Sequence, residues 1–383
     1  MIAVSPPLVI TQRQLARSID LLEAALDPSE SLALVAIYRI GIVGAGFGVS
    51  SPLPALLAHP AFDVVALASP STAARIAVER NIPHAFRSCA QMLAGCELDA
   101  VTIASPPYAH LHDVRASLAA RKHVICEKPF ALNVESALTM VEAAHEAGTA
   151  CGVAHEFRFV AQARALKQLI ENHHLDPVRN IEITSLRRML HRHETRRRGW
   201  WFARERGGGL AGAMLSHLID HADWLAGTAP QGSSGLLRTA NVARRDDAGD
   251  FTSNVDDGAF ALLAYANGEV ARLTADATTS VDGYTCAVHG EDRTAVASGP
   301  TIAQLTLYTI DRDETNELEC KPSPYASYAS INDNVPLLME LYDEFVRAIE
   351  GKANLLPTFD EALATQRVLE SIGYTTATLP AHA

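Results

Sequence analysis

Long apolar runs, paired cysteines and an excess of basic charge are all missing from this 383-residue chain. No stretch approaches the roughly 20 consecutive apolar residues of a membrane-spanning helix. The N-terminus has no charged region leading into an apolar core and a cleavage site. These absences lead to the expectation of a cytoplasmic protein with no membrane partner. The six cysteines (Cys89, Cys96, Cys126, Cys151, Cys286 and Cys320) are scattered. They lack the short paired spacing of a zinc site or a disulfide framework, so reduced thiols and no metal are expected. Basic residues number 32 against 44 acidic ones, a net charge of −12. That balance repels a phosphate backbone and argues against nucleic acid as a partner. The local basic cluster of Arg187, Arg188, His191, Arg192, His193, Arg196, Arg197 and Arg198 reads as a solvated loop or an oligomer contact in preference to an anion site.

What is present is an ordinary globular composition, 48% hydrophobic and 20% charged, over a length that exceeds one hydrophobic core. Residues 1–37 form an N-terminal extension with an amphipathic pattern at Leu15, Ile19, Leu22, Ala25 and Leu26. It reads either as an interaction arm or as the product of a start codon placed too early. From Tyr38, short apolar runs alternate with helical patterns, the rhythm of a parallel sheet covered on both faces. Strands are expected at Ile40–Val43, Val64–Ala68, Ala100–Ala104, Val124–Cys126 and Ala150–Ala154, with a shorter one near His84–Phe86. Helices are expected at Thr72–Arg80, His110–Ala120 and Val134–Ala147, the last between a capping Asn133 and a closing Gly148. After about Phe159 one helix (Ala163–Ile170) gives way to segments of period two, Asn180–Ser185, Ala259–Tyr265, Glu269–Ala275 and Thr285–His289. These predict an antiparallel sheet with one open face, followed by helices over Leu337–Ile349 and Phe359–Ile372. The fold class is therefore an α/β Rossmann domain over 38–156 joined to an α+β domain over 157–383 with a large open antiparallel sheet.

Gly44, Gly46 and Gly48 follow the first strand and lead toward a helix, the context of a dinucleotide-binding loop. Backbone without Cβ atoms turns tightly and approaches a pyrophosphate, which helix-terminal amides receive. Phe47 lies inside this loop, and Val49 occupies the usual third glycine position. The end of the second strand selects the cofactor. An acid there would hold the ribose hydroxyls, but this chain has Ser69, Ser71, Thr72 and Arg75, which leans toward NADP over NAD.

Three further segments make the chain resemble the Gfo/Idh/MocA family of sugar and polyol oxidoreductases. They are Ser105-Pro106-Pro107 with His110, then Glu127-Lys128-Pro129, and finally Gly207-Gly208-Gly209 followed by Ser216-His217 and Asp220. The resemblance implies that Ser105, Pro106 and His110 line the nicotinamide side, and that Glu127 supports the ribose. It implies that Lys128 reaches the substrate hydroxyl, that Pro129 carries a cis bond, and that His217 is the general acid/base. Trp200 is similar to a tryptophan of the substrate cleft or else is a core or oligomer anchor, and Arg158 either touches a ligand or braces the hinge. Many members carry an aspartate where this chain has Ala213; Asp220, one helical turn beyond His217, is the expected substitute in orienting it. Hydride transfer between NAD(P) and a secondary alcohol of a sugar, sugar derivative or cyclic polyol is the implied activity, in a dimer or tetramer. The alternatives are a non-catalytic dinucleotide-binding sensor, and a lyase, hydrolase or epimerase with tightly bound NAD.

Overall fold

The computed structural model describes residues 36–191, 194–375 and 379–380. The amphipathic pattern of Leu15 to Leu26 lies outside these residues, as do Arg192 and His193 of the basic cluster.

Six short strands begin the description: β1 (Tyr38–Val43), β2 (Phe62–Ala68), β3 (His84–Phe86), β4 (Ala100–Ile103), β5 (His123–Cys126) and β6 (Cys151–Val153). They pair in parallel in the order β3-β2-β1-β4-β5-β6, so the strand order reverses between β1 and β4. Residues 40–43 and all of β4 are buried. Strands covered on both faces need apolar residues without alternation, which is how these runs read. The covering helices are α1 (Pro52–Ala58), α2 (Ala73–Arg80), α3 (Cys89–Gly95), α4 (Pro107–Ala119) and α5 (Val134–Ala147). Helix α4 starts three residues before the expected His110, because Pro107 fits a first turn that needs no amide donor. Asn133 accepts from the Ser136 amide and Gly148 closes α5 at φ 63°, as the sequence suggested.

The second region opens with α6 (Ala161–Glu171) and β7 (Val178–Leu186), then passes through α7 (Ser216–Ala226). Strands β8 (Gly232–Thr239), β9 (Ala243–Asp246), β10 (Gly249–Thr252), β11 (Gly258–Ala264) and β12 (Val270–Asp276) follow. The run ends with β13 (Gly283–Gly290), β14 (Arg293–Thr301), β15 (Gln304–Asp311) and β16 (Glu314–Leu318), and a short β17 (Leu379–Pro380) lies near the C-terminus. Strands β9 and β10 form a separate hairpin; the rest build one sheet ordered β16-β15-β14-β13-β7-β12-β11-β8-β17. It is mixed rather than antiparallel. β7 runs antiparallel to β13 but parallel to β12, with Ile183 opposite Leu273. Period-two alternation fixes which face a side chain takes and carries no information on strand direction, so the central insertion of β7 was invisible in the pattern.

Along β12, Ala271, Leu273 and Ala275 turn inward, while Val270 of the same strand, Leu236 of β8 and Leu262 of β11 are exposed. Helices α8 (Asn334–Ile349) and α9 (Phe359–Ser371) return to the first region, α8 against α1 and α9 against α5 and α7. Tyr342 and Phe345 of α8 meet Phe62 of β2 at ring-centre distances of 5.6 and 6.3 Å.

Candidate active site

The glycine loop is shaped by what stands beneath it. Gly44 has φ 107°, and a Cβ there would collide with the Ala104 carbonyl. Gly48 is buried, and a Cβ on it would stand 3.0 Å from the Ala104 Cβ. Both positions let the loop lie flat on the end of β4. Around Gly46 a Cβ would meet nothing within 4 Å, and Gly46 and Phe47 are exposed above the helical turn Phe47–Ser50. The first amides of such a turn have no intrahelical acceptor. The loop sits where the strand order reverses, the place ligands occupy on open α/β sheets. An open glycine above free amides fits a dinucleotide pyrophosphate.

At the end of β2 the hydroxyls of Ser69 and Thr72 share a hydrogen bond of 3.0 Å. Arg75 lies exposed on α2 and pairs with Glu79 at 2.6 Å.

Ser105 donates from Oγ to Asp113 Oδ2 (2.8 Å), and Pro106 stands at the N-cap of α4. His110 is fully buried, with Nε2 2.8 Å from the Ser105 carbonyl and Nδ1 3.2 Å from that of Phe130. It ties the loop after β4 to the loop after β5 and does not open into the cleft. A neutral imidazole donates to one of these oxygens at a time, and burial lowers the ring's pKa.

The Glu127 amide extends β5 by donating to Ile103. Its buried carboxyl is pushed up by desolvation first and by the charge of Glu156 second. The Lys128–Pro129 bond is cis, as the resemblance implied. Lys128 Nζ donates to the Ala213 carbonyl (2.9 Å) and lies 5.9 Å from the Phe47 ring centre. One ammonium thus joins the glycine loop, the loop after β5 and the second region.

Ala213 belongs to a π-helical turn, Ala211–Leu215, that runs directly into α7. Such turns interrupt the regular α-helical hydrogen-bond pattern. Asp256 anchors its start by accepting the Ala211 amide at 2.6 Å. His217, at the second position of α7, stacks flat on Phe157 with ring centres 4.1 Å apart and planes 9° apart. Burial, followed by the Lys128 charge, holds its pKa well below the usual value. The imidazole is therefore neutral near pH 7.

Asp220 does not orient His217. Arg158 captures both carboxylate oxygens, with Nε to Oδ2 at 2.8 Å and Nη2 to Oδ1 at 2.6 Å. His155 Nδ1 lies 2.9 Å from Oδ1, without the alignment of a hydrogen bond. The guanidinium also donates to Glu361 at the start of α9 (3.0 Å). Arg158 is therefore a brace between α7 and α9, a role different from the hinge brace or ligand contact expected, and it holds the Asp220 carboxyl well below the usual range. Trp200 is half-buried at the start of the turn Trp200–Phe202, its carbonyl packed where a side chain on Gly208 would fall.

The structure gathers Lys128, Glu127, Ala213 and His217, and places His110, Arg158 and Asp220 in supporting contacts. Sequence reasoning missed Glu156, Phe157 and Asp256. The signal available for Glu156 was its place two residues before Arg158.

Residues 38–155 match the family model described as an oxidoreductase family with an NAD-binding Rossmann fold, and residues 167–373 match its C-terminal alpha/beta domain. An uncharacterized oxidoreductase of Synechocystis is 31% identical over 212 residues, 54% of this chain and 56% of the relative, so the match spans little more than half of that protein. A scyllo-inositol 2-dehydrogenase (NADP(+)) of Bacillus subtilis is 28% identical over 341 residues, 87% of this chain and 95% of the relative. A crystal structure of an oxidoreductase domain protein from Kribbella flavida superposes with a TM-score of 0.77 at 20% identity, covering 89% of this chain and 97% of that one, a likeness of fold. No described helix is long and apolar enough to cross a membrane. With both family models matched in order along one chain, this protein belongs to the Gfo/Idh/MocA oxidoreductase family.

Proposed function

We propose that the chain transfers hydride reversibly between NAD(P) and a secondary alcohol of a sugar, sugar derivative or cyclic polyol. The observation that carries this reading is that Lys128 donates to the π-turn at Ala213, while the neutral His217, on the helix that continues that turn, feels the Lys128 charge. A lysine ammonium beside the hydroxyl favours the alkoxide character that develops in oxidation. A neutral imidazole accepts the hydroxyl proton and returns it in reduction. Bound NAD(P) supplies the hydride acceptor or donor.

In this reading Gly44, Gly46, Phe47 and Gly48 hold the pyrophosphate, and Ser69 and Arg75 face the adenosine ribose. Ser105, Pro106 and Glu127 hold the nicotinamide side, with His110 bracing their loops, and Trp200 borders the substrate. Residues 38–156 carry the cofactor; residues 157–383 carry the substrate and, through the outer sheet face, pairing into a homo-oligomer in the cytoplasm. NADP is the favoured cofactor. No acid stands at the end of β2, and the Bacillus relative bears NADP(+) in its name.

Purified chain incubated with NAD or NADP and a panel of inositols, aldoses and anhydrosugars tests the reading through reduced-nicotinamide absorbance. Reproducible substrate-dependent reduction is expected. Tight cofactor binding with no turnover on any substrate, in either direction, would replace the enzyme with a sensor.

A further inference from the structure

Glu156 Oε2 and His217 Nδ1 are buried at the centre of the site with no hydrogen-bond partner among the described residues, as are both ring nitrogens of His155. The Glu156 and His217 side chains are 3% and 2% exposed, and His217 Nε2 lies 3.9 Å from Glu156 Oε2. A buried carboxyl oxygen without a hydrogen-bond partner carries the penalty of its lost hydration. Asp220, the neighbouring acid on α7, is committed to Arg158, and position 213 offers only a backbone carbonyl to Lys128.

We propose that Glu156 is the positioning partner of His217, doing from the turn after β6 what an aspartate at position 213 would do from the π-turn. This rests on the hydride-transfer reading above. In oxidation the substrate C–H bond breaks with its electron pair passing to bound NAD(P), and the O–H bond breaks with its proton passing to the His217 imidazole. The imidazolium so formed is stabilised by the nearby Glu156 carboxylate, and reduction returns both. The 3.9 Å separation is longer than a hydrogen bond, and contacts of this kind commonly tighten only when ligand is bound. Phe157, stacked at 9°, fixes the plane in which the ring can close that gap.

The surroundings give the carboxylate its importance. Lys128, His155 and His221 all disfavour a positive His217, and His221 is itself hydrogen-bonded to Tyr284. Around Glu156, burial and Asp220 raise the pKa while Lys128 and His155 lower it. Glu127 competes with Glu156 for ionisation, and the Tyr342 hydroxyl of α8 lies near both acids.

Glu156→Gln and Glu156→Asp in the full chain test the proposal. For Glu156→Gln, kcat should fall on the order of 10²-fold, with substrate KM and cofactor Kd changed by less than about threefold. Loss of the anion makes the imidazolium less stable, so the acid limb of kcat/KM should move to lower pH by about one unit. Glu156→Asp should restore part of that limb. Nitrogen NMR of histidine-labelled protein, with His217 assigned by His217→Asn, should show the same downward shift without any turnover. If wild type turns over no substrate, the hydride reading fails while the NMR titration still judges the pair. Unchanged kcat and acid limb in Glu156→Gln, or an unchanged His217 titration in both variants, overturns the proposal.

Discussion

Lys128 reaches across from the end of β5 and donates to the carbonyl of Ala213 over 2.9 Å. A backbone oxygen of the π-turn thus receives the ammonium at the position where many family members carry a carboxylate. The main chain can do this because Asp256 pins the start of the turn and α7 continues from its end. The missing side chain is answered by main-chain geometry at Ala213 for Lys128, and it leaves His217 to find an acid elsewhere.

The bracing pair Arg158 and Asp220 should dominate local stability. Removing one partner of a buried ion pair strands the other charge, at a cost of about 3–5 kcal/mol. Arg158→Ala should therefore lower the urea midpoint strongly. The Asp220 carboxyl is held below its unfolded value by Arg158 and His155. Its stabilisation is present above the unfolded carboxyl pKa, about 3.9, and is lost as pH falls toward the folded value. Urea midpoints taken from pH 6 downward should show a steeper acid decline for wild type than for Asp220→Asn.

Asp256 has the opposite sign. Burial pushes its carboxyl up to about 6, so its contribution is fully present below about pH 3.9 and lost as pH rises to the folded value. Asp256→Asn keeps an acceptor for the Ala211 amide and removes the titration. Its urea midpoint should gain on wild type between about pH 4 and 6 and hold a constant difference above. A constant difference across the whole range would show that the Asp256 pKa is the same in the folded and the unfolded chain.

These two acids mark the limit of what was legible in the sequence. The Rossmann half could be read almost strand by strand, because doubly covered strands must be continuous apolar runs and the glycine loop has local chemistry. Lys128 was found for the same reason, sitting next to β5 in a specific tripeptide. Asp256 and Glu156 are distant in sequence from the atoms they serve, Ala211 and His217, and no local pattern joins them. Asp220 misled because helical spacing places it one turn from His217, while the guanidinium that captures it comes from before α6. The direction of β7 was hidden because alternation reads the same in either sense.

Cofactor choice should turn on the end of β2. Ser69→Asp would place a carboxylate beside Thr72, where it can hold ribose hydroxyls and repel a 2′-phosphate. The ratio of kcat/KM for NADP over NAD should fall by at least about tenfold. An unchanged ratio would place discrimination elsewhere.

Hydride transfer as proposed requires Lys128 and His217 to act together. Single-turnover and steady-state rates of nicotinamide reduction, measured for wild type, Lys128→Ala and His217→Ala on one substrate identified from the polyol panel, test it most directly. Each variant should lose between about 10² and 10⁴ in kcat, with His217→Ala still binding the cofactor at near wild-type affinity. Wild-type turnover in either variant would contradict the account.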